Sequence, residues 1–174
     1  MNITPNFITE ALEQRLIQHC QQALDEDSFE ARDGRSRVRR FGYDYSKEGK
    51  FLCAIPEWAK IIAYTLNANS LGINEYPPGK GIIRHVDSPA FADPICIVSL
   101  GSGTTLTLEP SSGETIKVFV PARSLFKFTG EHRFWPHWIE EKKTDTDPAT
   151  GLEVPRGLRY SLTFRRRILG EMPA

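Results

Sequence analysis

The sequence predicts a mainly β domain with flanking helices, of the sandwich or jelly-roll type. From residue 71 onward, short runs rich in β-branched and aromatic residues alternate with turns of Gly, Pro and Ser, and many short strands with tight turns are typical of this architecture. The length of 174 residues favours a single domain over residues 1–174, because one domain commonly has about 100–200 residues. The predicted strands lie near 71–76, 81–85, 95–100, 104–108, 115–120, 124–128, 134–139 and 158–165.

Two helices are predicted ahead of these strands. Residues 9–24 place an apolar residue at every fourth position, which gives one stripe of an amphipathic helix, and Thr9 is the predicted N-cap. The second helix is expected to start at Pro56, since proline is favoured in a first helical turn. Its predicted inner face consists of Trp58, Ile61, Ile62, Thr65 and Leu66.

Two segments depart from regular patterning. Residues 32–50 are basic and aromatic with several glycines, and they are predicted to form a loop or irregular hairpin. Residues 140–157 are charged, contain Gly and Pro and are poor in apolar residues. This second segment is predicted to be a long surface loop inserted before the last strand, of the kind that is often functional or mobile.

Composition excludes several classes of protein. There are 22 Lys plus Arg and 22 Asp plus Glu, so a globally basic, histone-like protein is excluded, although a local basic patch is not. Three scattered cysteines do not form a disulfide framework, which favours a reducing compartment, the cytoplasm, with the nucleus left open. The N-terminus lacks a secretory signal and no apolar run could cross a bilayer, so no membrane partner is expected.

A His-x-Asp pair ends the second predicted strand. Residues i and i+2 of an extended segment point to the same side, so His85 and Asp87 can face one ion. A second histidine would complete a two-histidine, one-carboxylate triad, which leaves positions open on Fe(II). His132 and His137 are both candidates for this distal ligand.

Two arginines of the last strand also share a face. Arg159 and Arg165 are six residues apart, and guanidinium groups turned inward are unfavourable unless an anion accompanies them. A dicarboxylate would satisfy them, because guanidinium matches carboxylate bidentately. Asn74 and Tyr76 share a face of the first strand and would offer an amide and a phenol to the same anion.

Together these segments resemble the AlkB family of Fe(II)- and 2-oxoglutarate-dependent dioxygenases. The family pattern is N-x-Y-x-P-G, then H-x-D, then a distal H, then R-x5-R, and its parts occur here in order across roughly residues 70–167. The segment 35–45 also resembles the nucleotide-recognition lid of that family. The segments that carry the resemblance are Asn74–Gly79, His85–Asp87, Gly130–His137 and Arg159–Arg165.

The resemblance implies a double-stranded β-helix with helices on its outside, and iron held by His85, Asp87 and His137. His137 is preferred over His132 as the distal ligand, because His132-Arg133 occupies the place of a pair that precedes the ligand in the family. The cofactors implied are Fe(II), with 2-oxoglutarate and O2 as co-substrates.

The resemblance also assigns the 2-oxoglutarate site. It implies that Arg159 and Tyr76 bind the distal carboxylate of 2-oxoglutarate. It implies that Arg165, Asn74 and Ser161 bind the other end or support the residues there. 2-Oxoglutarate would be decarboxylated to succinate while a substrate C–H bond is hydroxylated. A hydroxylated carbon bound to nitrogen would then leave as an aldehyde, whereas one bound to carbon would keep its hydroxyl group.

The segment 32–50, called the lid below, bears on the substrate. Five arginines within nine residues suit contact with a nucleic-acid backbone, and alternate aromatic residues suit stacking on a flipped base. A solvated basic hairpin that covers the barrel mouth is the alternative. The predicted substrate-binding residues are Arg37, Arg39, Arg40, Phe41, Tyr43 and Tyr45, with Arg32 and Arg35 in the same basic cluster.

Pro89 stands where members of the family that dealkylate DNA usually have an acidic residue. The strings 90–93, 98–102 and 156–159 resemble instead the branch that contains the tRNA wobble-uridine hydroxylase domain. The favoured function is therefore C–H hydroxylation of a modified base, with RNA, above all tRNA, as partner and possibly with an accessory protein. The alternatives are oxidative dealkylation of DNA or RNA bases, oxidation of a protein or small molecule, and a non-catalytic binding module.

Overall fold

The computed structural model describes residues 1–30, 36–46 and 48–168. Within them the helices are α1 (Glu10–Glu26), α2 (Glu57–Thr65) and a 3₁₀ helix (Gly130–Phe134). The strands are β1 (Asn2–Thr4), β2 (Phe29–Glu30), β3 (Arg37–Tyr43), β4 (Phe51–Cys53), β5 (Ser70–Tyr76), β6 (Ile82–His85), β7 (Ile95–Gly101), β8 (Thr104–Leu108), β9 (Ile116–Val120), β10 (Leu125–Phe128), β11 (His137–Ile139), β12 (Thr144–Thr146), β13 (Glu153–Pro155) and β14 (Arg159–Arg165).

Two antiparallel sheets form the body of the fold. The larger has the order β1-β10-β7-β14-β5-β3-β2, with β4 paired to β3, and the smaller has the order β6-β11-β8-β9. All eight predicted strands are present. The largest boundary error is at β11, which starts at His137 because the residues before it form the 3₁₀ helix and Pro136 cannot donate to a ladder.

Apolar side chains are buried in two layers. One cluster packs α1 and α2 against the larger sheet, and it includes Leu16, Leu24, Ile73 and Leu162. The other cluster contains residues of both sheets, such as Leu108 and Phe128. The helices therefore support one face of the large sheet, which leaves its other face to the small sheet.

The helices follow their predicted patterns except at two positions of α2. The Thr9 side chain accepts a hydrogen bond from the Leu12 amide at 3.2 Å and caps α1. In α2 the buried stripe is Ala59, Ile62 and Ala63, and Ile61 is 70% exposed. The prediction that Ile61 and Thr65 face inward is wrong, because Ile61 lies about 100° around the helix from Ile62 and the exposed Thr65 follows Ile61 by four residues on the same side. No helix of the described residues is long and apolar enough to span a membrane.

The two segments that depart from regular patterning both contain strands. The lid, predicted as a loop or irregular hairpin, contributes β3, which pairs with β5 and, with a shift in register, with β4 just after the lid. Within 140–157, β12 and β13 form an antiparallel pair, anchored by Arg156, whose Nε and Nη2 donate to Asp145 at 2.5 and 3.1 Å. Both partners are buried, and Arg156 lowers the pKa of Asp145 to about 2 against the effect of burial, which alone would raise it.

Candidate active site

The two sheets face each other across a cavity of about 620 Å³. Most of its lining is apolar, and its polar side chains lie mainly at the ends of β6 and β11 and along β14. A large, mostly apolar cavity with a few convergent polar groups is the usual form of a ligand site.

His85 and His137 are opposite each other in the ladder between β6 and β11, with ring centroids 4.4 Å apart. Nδ1 of His85 lies 2.8 Å from the Ile83 carbonyl oxygen, and Nδ1 of His137 lies 3.0 Å from that of Trp135. A carbonyl oxygen only accepts, so each Nδ1 carries the proton and each Nε2 keeps its lone pair. Both rings are thus fixed in the tautomer that binds a metal through Nε2.

Asp87 lies beside this pair and is buried. Its Oδ2 is 3.9 Å from Nε2 of His137, and its Oδ1 accepts a hydrogen bond from Nη2 of Arg165 at 3.2 Å. Burial acts to raise the pKa of the Asp87 carboxyl, but Arg165, His137 and His85 outweigh it and hold the pKa below its usual range. Burial and His85 lower the pKa of His137. Both groups are therefore in the protonation state that metal binding requires.

The structure brings these three predicted ligands to one end of the cavity. Their side chains are not close enough to form a metal-binding group of three His, Cys, Asp or Glu, and the described residues contain no such group elsewhere. The Asp87 carboxylate is bonded to Arg165. The donor set of two imidazoles and one carboxylate nevertheless fits Fe(II) with open positions. His132 lies in the 3₁₀ helix with its ring 4.4 Å from that of Trp135.

A second polar group lies where β14 starts. Arg159 is paired in register with Tyr76 of β5, and its guanidinium lies 5.0 Å from the centroid of the Tyr76 ring. Nε of Arg159 donates to Oγ of Ser99 at 3.1 Å, whereas its Nη1 is buried without a hydrogen-bond partner. Burial lowers the pKa of Arg159. A buried guanidinium with an unused donor is suited to a carboxylate ligand.

The strand period places a row of polar side chains on β14. Arg159, Ser161, Thr163 and Arg165 all line the cavity, as residues two apart on a strand should. Asn74 also lines it, opposite Ser161 in the ladder. Sequence reasoning missed Thr163, whose hydroxyl lies 3.3 Å from that of Ser161, although the same period would have found it.

The lid arginines divide between two faces of β3. Nε and Nη2 of Arg37 each donate to Glu75 at 2.8 Å, and its Nη1 donates to Asp25 at 2.6 Å. Arg39 contacts Glu26 and the Ala23 carbonyl of α1. Neither arginine lines the cavity, and both are bonded to groups of the fold itself, so their predicted contact with a nucleic-acid backbone stays a prediction. Arg32 and Arg35 lie outside the described residues.

Arg40 does line the cavity, as does Tyr45. The Arg40 guanidinium lies 4.3 Å from the centroid of the Tyr45 ring and 4.9 Å from that of Phe29. The Arg165 guanidinium also lies 5.1 Å from the centroid of the Tyr45 ring. A residue of the lid therefore contacts the guanidinium that is bonded to Asp87.

The other two predicted aromatic platforms are elsewhere. Phe41 is 5% exposed in the core beneath the helices, which contradicts the prediction that it stacks on a base. Tyr43 packs edge-on against Phe51 and does not line the cavity. Phe41 follows Arg39 by two residues, so the regular alternation of β3 places it on the face that packs against the helices. The strand becomes irregular only after Phe41, at Gly42, which has a φ of +75° at a shift in strand register.

A family model described as the 2OG-Fe(II) oxygenase superfamily matches residues 1–165. The chain belongs to this superfamily. Membership confirms the predicted enzyme class and the predicted use of Fe(II), 2-oxoglutarate and O2. It also decides against the non-catalytic binding module.

Two curated relatives confirm the predicted resemblance to AlkB-like proteins. The tRNA (carboxymethyluridine(34)-5-O)-methyltransferase ALKBH8 of Mus musculus is 34% identical over 161 residues, which is 75% of this chain and 24% of that protein. The Probable RNA/DNA demethylase ALKBH6 of Danio rerio is 26% identical over 197 residues, which is 92% of this chain and 82% of that protein. This chain therefore spans about a quarter of the mouse relative's length.

The solved structure of OsALKBH1 has the same fold. It superposes with a TM-score of 0.70 at 18% sequence identity and covers 95% of this chain and 97% of that one. The likeness confirms the predicted mainly β, jelly-roll architecture.

Proposed function

We propose that this oxygenase hydroxylates a C–H bond on a modified base of RNA, and that the RNA is tRNA. The observation that carries the proposal is the match to mouse ALKBH8, whose name describes a tRNA carboxymethyluridine methyltransferase. A carboxymethyluridine is accordingly the first substrate to test. The size and apolar lining of the cavity are compatible with a base removed from its stack.

The proposed iron ligands are His85, Asp87 and His137. Support comes from the fixed Nδ1 protons of both histidines and from the ionised state of Asp87. When bound, Fe(II) with 2-oxoglutarate and O2 supplies the oxidant that inserts oxygen into a C–H bond. The protein's own task is to hold these groups, orient the substrate carbon and exclude water.

Arg159 and Tyr76 are proposed to bind the far carboxylate of 2-oxoglutarate. Asn74 and Ser161 are proposed to support the near end, and Arg165 is proposed to position Asp87, to which it is already bonded. The unused Nη1 of Arg159 is the observation that supports an acid at this end. The Ser99 hydroxyl orients the guanidinium by accepting a hydrogen bond from its Nε.

The test is enzymatic. We would incubate the protein with Fe(II), ascorbate, 2-oxoglutarate and tRNA from cells that lack the gene, and then analyse the nucleosides by mass spectrometry. The expected product is a modified uridine heavier by one oxygen atom, which the Asp87→Ala protein does not form. If wild-type protein converts 2-oxoglutarate to succinate but leaves the nucleoside profile unchanged, the proposal is contradicted.

Oxidative dealkylation of DNA or RNA bases is the second candidate. The observation in its favour is ALKBH6, named a probable RNA/DNA demethylase, which aligns over most of both chains. The same reactions distinguish the two functions, because dealkylation of an N-methyl group releases formaldehyde and hydroxylation at a carbon bound to carbon does not.

A further inference from the structure

The charges on the cavity wall do not balance. Among the described residues that line the cavity, Arg40, Arg159 and Arg165 are cationic and Asp87 is the only carboxylate. Asp87 is bonded to Arg165, and a carboxylate of 2-oxoglutarate is proposed to pair with Arg159. Fe(II) brings two positive charges and 2-oxoglutarate brings two negative ones, so the excess of positive charge on the wall stays the same when both bind. Among the described residues, Arg40 is the one of these three arginines that has neither a carboxylate partner nor a proposed one.

Arg40 and Arg165 contact the same aromatic ring. Arg40 lies opposite Gly72 in the ladder between β3 and β5, and a Cβ on Gly72 would lie 3.3 Å from Nη1 of Arg165. Tyr45 presents its ring to both guanidinium groups, at 4.3 Å and 5.1 Å from its centroid. Arg165 has Asp87 as its partner, whereas the guanidinium of Arg40 on the same ring has no carboxylate partner among the described residues.

Aromatic contacts keep the Arg40 side chain in place. Its guanidinium lies over the rings of Phe29 and Tyr45, and it forms no ion pair with a described residue. Arg37 and Arg39, on the opposite face of the same strand, each have a carboxylate partner. The planar fork of Arg40 therefore keeps its donors for a ligand in the cavity.

We infer that Arg40 binds an oxyanion carried by the substrate, either a carboxylate on the base or a phosphate. The inference rests on the proposed function and adds that the site selects a charged substrate over its neutral counterpart. Arg40 would thus determine specificity, while the metal donors and Arg159 serve the reaction itself.

The experiment compares three ligands by calorimetry on protein loaded with Zn(II) and 2-oxoglutarate. They are carboxymethyluridine, its uncharged methyl ester, and uridine 5′-monophosphate. One of the two anionic ligands should bind wild-type protein at least about 10-fold more tightly than the ester, the size expected for a charge-assisted hydrogen bond. Tighter binding of the first identifies a carboxylate on the base, and tighter binding of the last identifies a phosphate.

The variants test whether Arg40 causes this preference. Arg40→Gln should bind the anionic ligand and the ester equally, and Arg40→Lys should keep part of the preference. The matched control is Arg84→Gln, because Arg84 is paired with Glu109 and does not line the cavity. That variant should behave as wild type. Melting temperatures verify that each variant folds, and the three-ligand comparison on wild-type protein needs no variant.

Equal binding of acid, ester and phosphate by wild-type protein overturns the inference alone, as does a preference that persists in Arg40→Gln. Binding of none of the three ligands overturns the inference, and together with an unchanged nucleoside profile of tRNA it overturns the proposed function as well. Hydroxylation of tRNA with equal affinity for acid and ester would leave the proposed function standing without the inference.

Discussion

Replacing Arg159 with methionine is expected to separate the stability of the protein from its affinity for 2-oxoglutarate. Nη1 of Arg159 is buried without a partner, and an unsatisfied buried donor costs about 1–3 kcal/mol. Its Nε donates to Ser99, and a hydrogen bond from a charged group contributes about 1.5–3 kcal/mol. The two effects oppose each other and are similar in size, so the free energy of unfolding of ligand-free Arg159→Met should change by no more than about 2 kcal/mol in either direction.

Ligand binding should show the opposite effect. A ligand at 100 times its Kd stabilises a protein by about 2.7 kcal/mol, which for this chain length raises Tm by about 5–10 °C. Loss of two charge-assisted hydrogen bonds weakens binding by about 100-fold or more. At the same 2-oxoglutarate concentration, Arg159→Met should therefore shift by only about 1 °C.

The assay is a thermal melt of Zn(II)-loaded protein with and without 2-oxoglutarate. The control is Arg84→Met, which removes the same charge from a paired arginine outside the cavity and should keep the full shift. A full shift in Arg159→Met would show that the diacid is anchored elsewhere. A ligand-free variant destabilised by more than about 2 kcal/mol would show that Nη1 is satisfied in the folded protein.

Three further outcomes are expected. His137→Ala should lower Zn(II) affinity in a competition titration by more than the roughly 10- to 100-fold that loss of an outer-shell partner costs, while His132→Ala should change it little. The folded-state pKa of Asp145 is depressed from 3.8 to about 2, so its stabilisation is present above pH 4 and is lost toward pH 2. Between those values the free energy of unfolding of wild type, measured in urea, should fall by about 2 kcal/mol more than that of Asp145→Asn. Gly42→Ala should lower the free energy of unfolding by about 2 kcal/mol or more, because its Cβ would lie 2.0 Å from a backbone carbonyl oxygen. Gly113→Ala should lower it by less, because Gly113 also has a positive φ but no atom lies within 4 Å of the added Cβ.

The elements that the sequence predicted correctly depend on local periodicity. The eight strands were found from alternation and turn residues, and they are all present. The period of two also placed Arg159 and Arg165 on one face, and both line the cavity. His85 and Asp87 follow the same rule, because two residues of extended chain bring their side chains to one side.

The missed features depend on partners distant in the sequence. The charged segment 140–157 looks solvated, but Arg156 and Asp145 neutralise each other and are buried together. Burial of a charge is acceptable only with such a partner, and the pairing becomes visible only when β12 and β13 are in register. Composition alone therefore predicted a loop where an anchored hairpin lies.

The lid shows how the same limit changes a functional conclusion. A cluster of arginines in sequence suggests a surface for phosphates, but the alternation of β3 sends Arg37 and Arg39 to the acidic side chains of α1 and β5. A salt-bridged guanidinium contributes little net charge toward a ligand, so most of the apparent basic patch in the described lid is used to attach that strand to the fold. Arg40 differs from its neighbours only in the face that it occupies. The alternation of β3 therefore decides which arginine of the lid faces the cavity and can contact a ligand there. A substrate that interacts with a single guanidinium inside the cavity fits this lid better than one that needs a broad cationic surface.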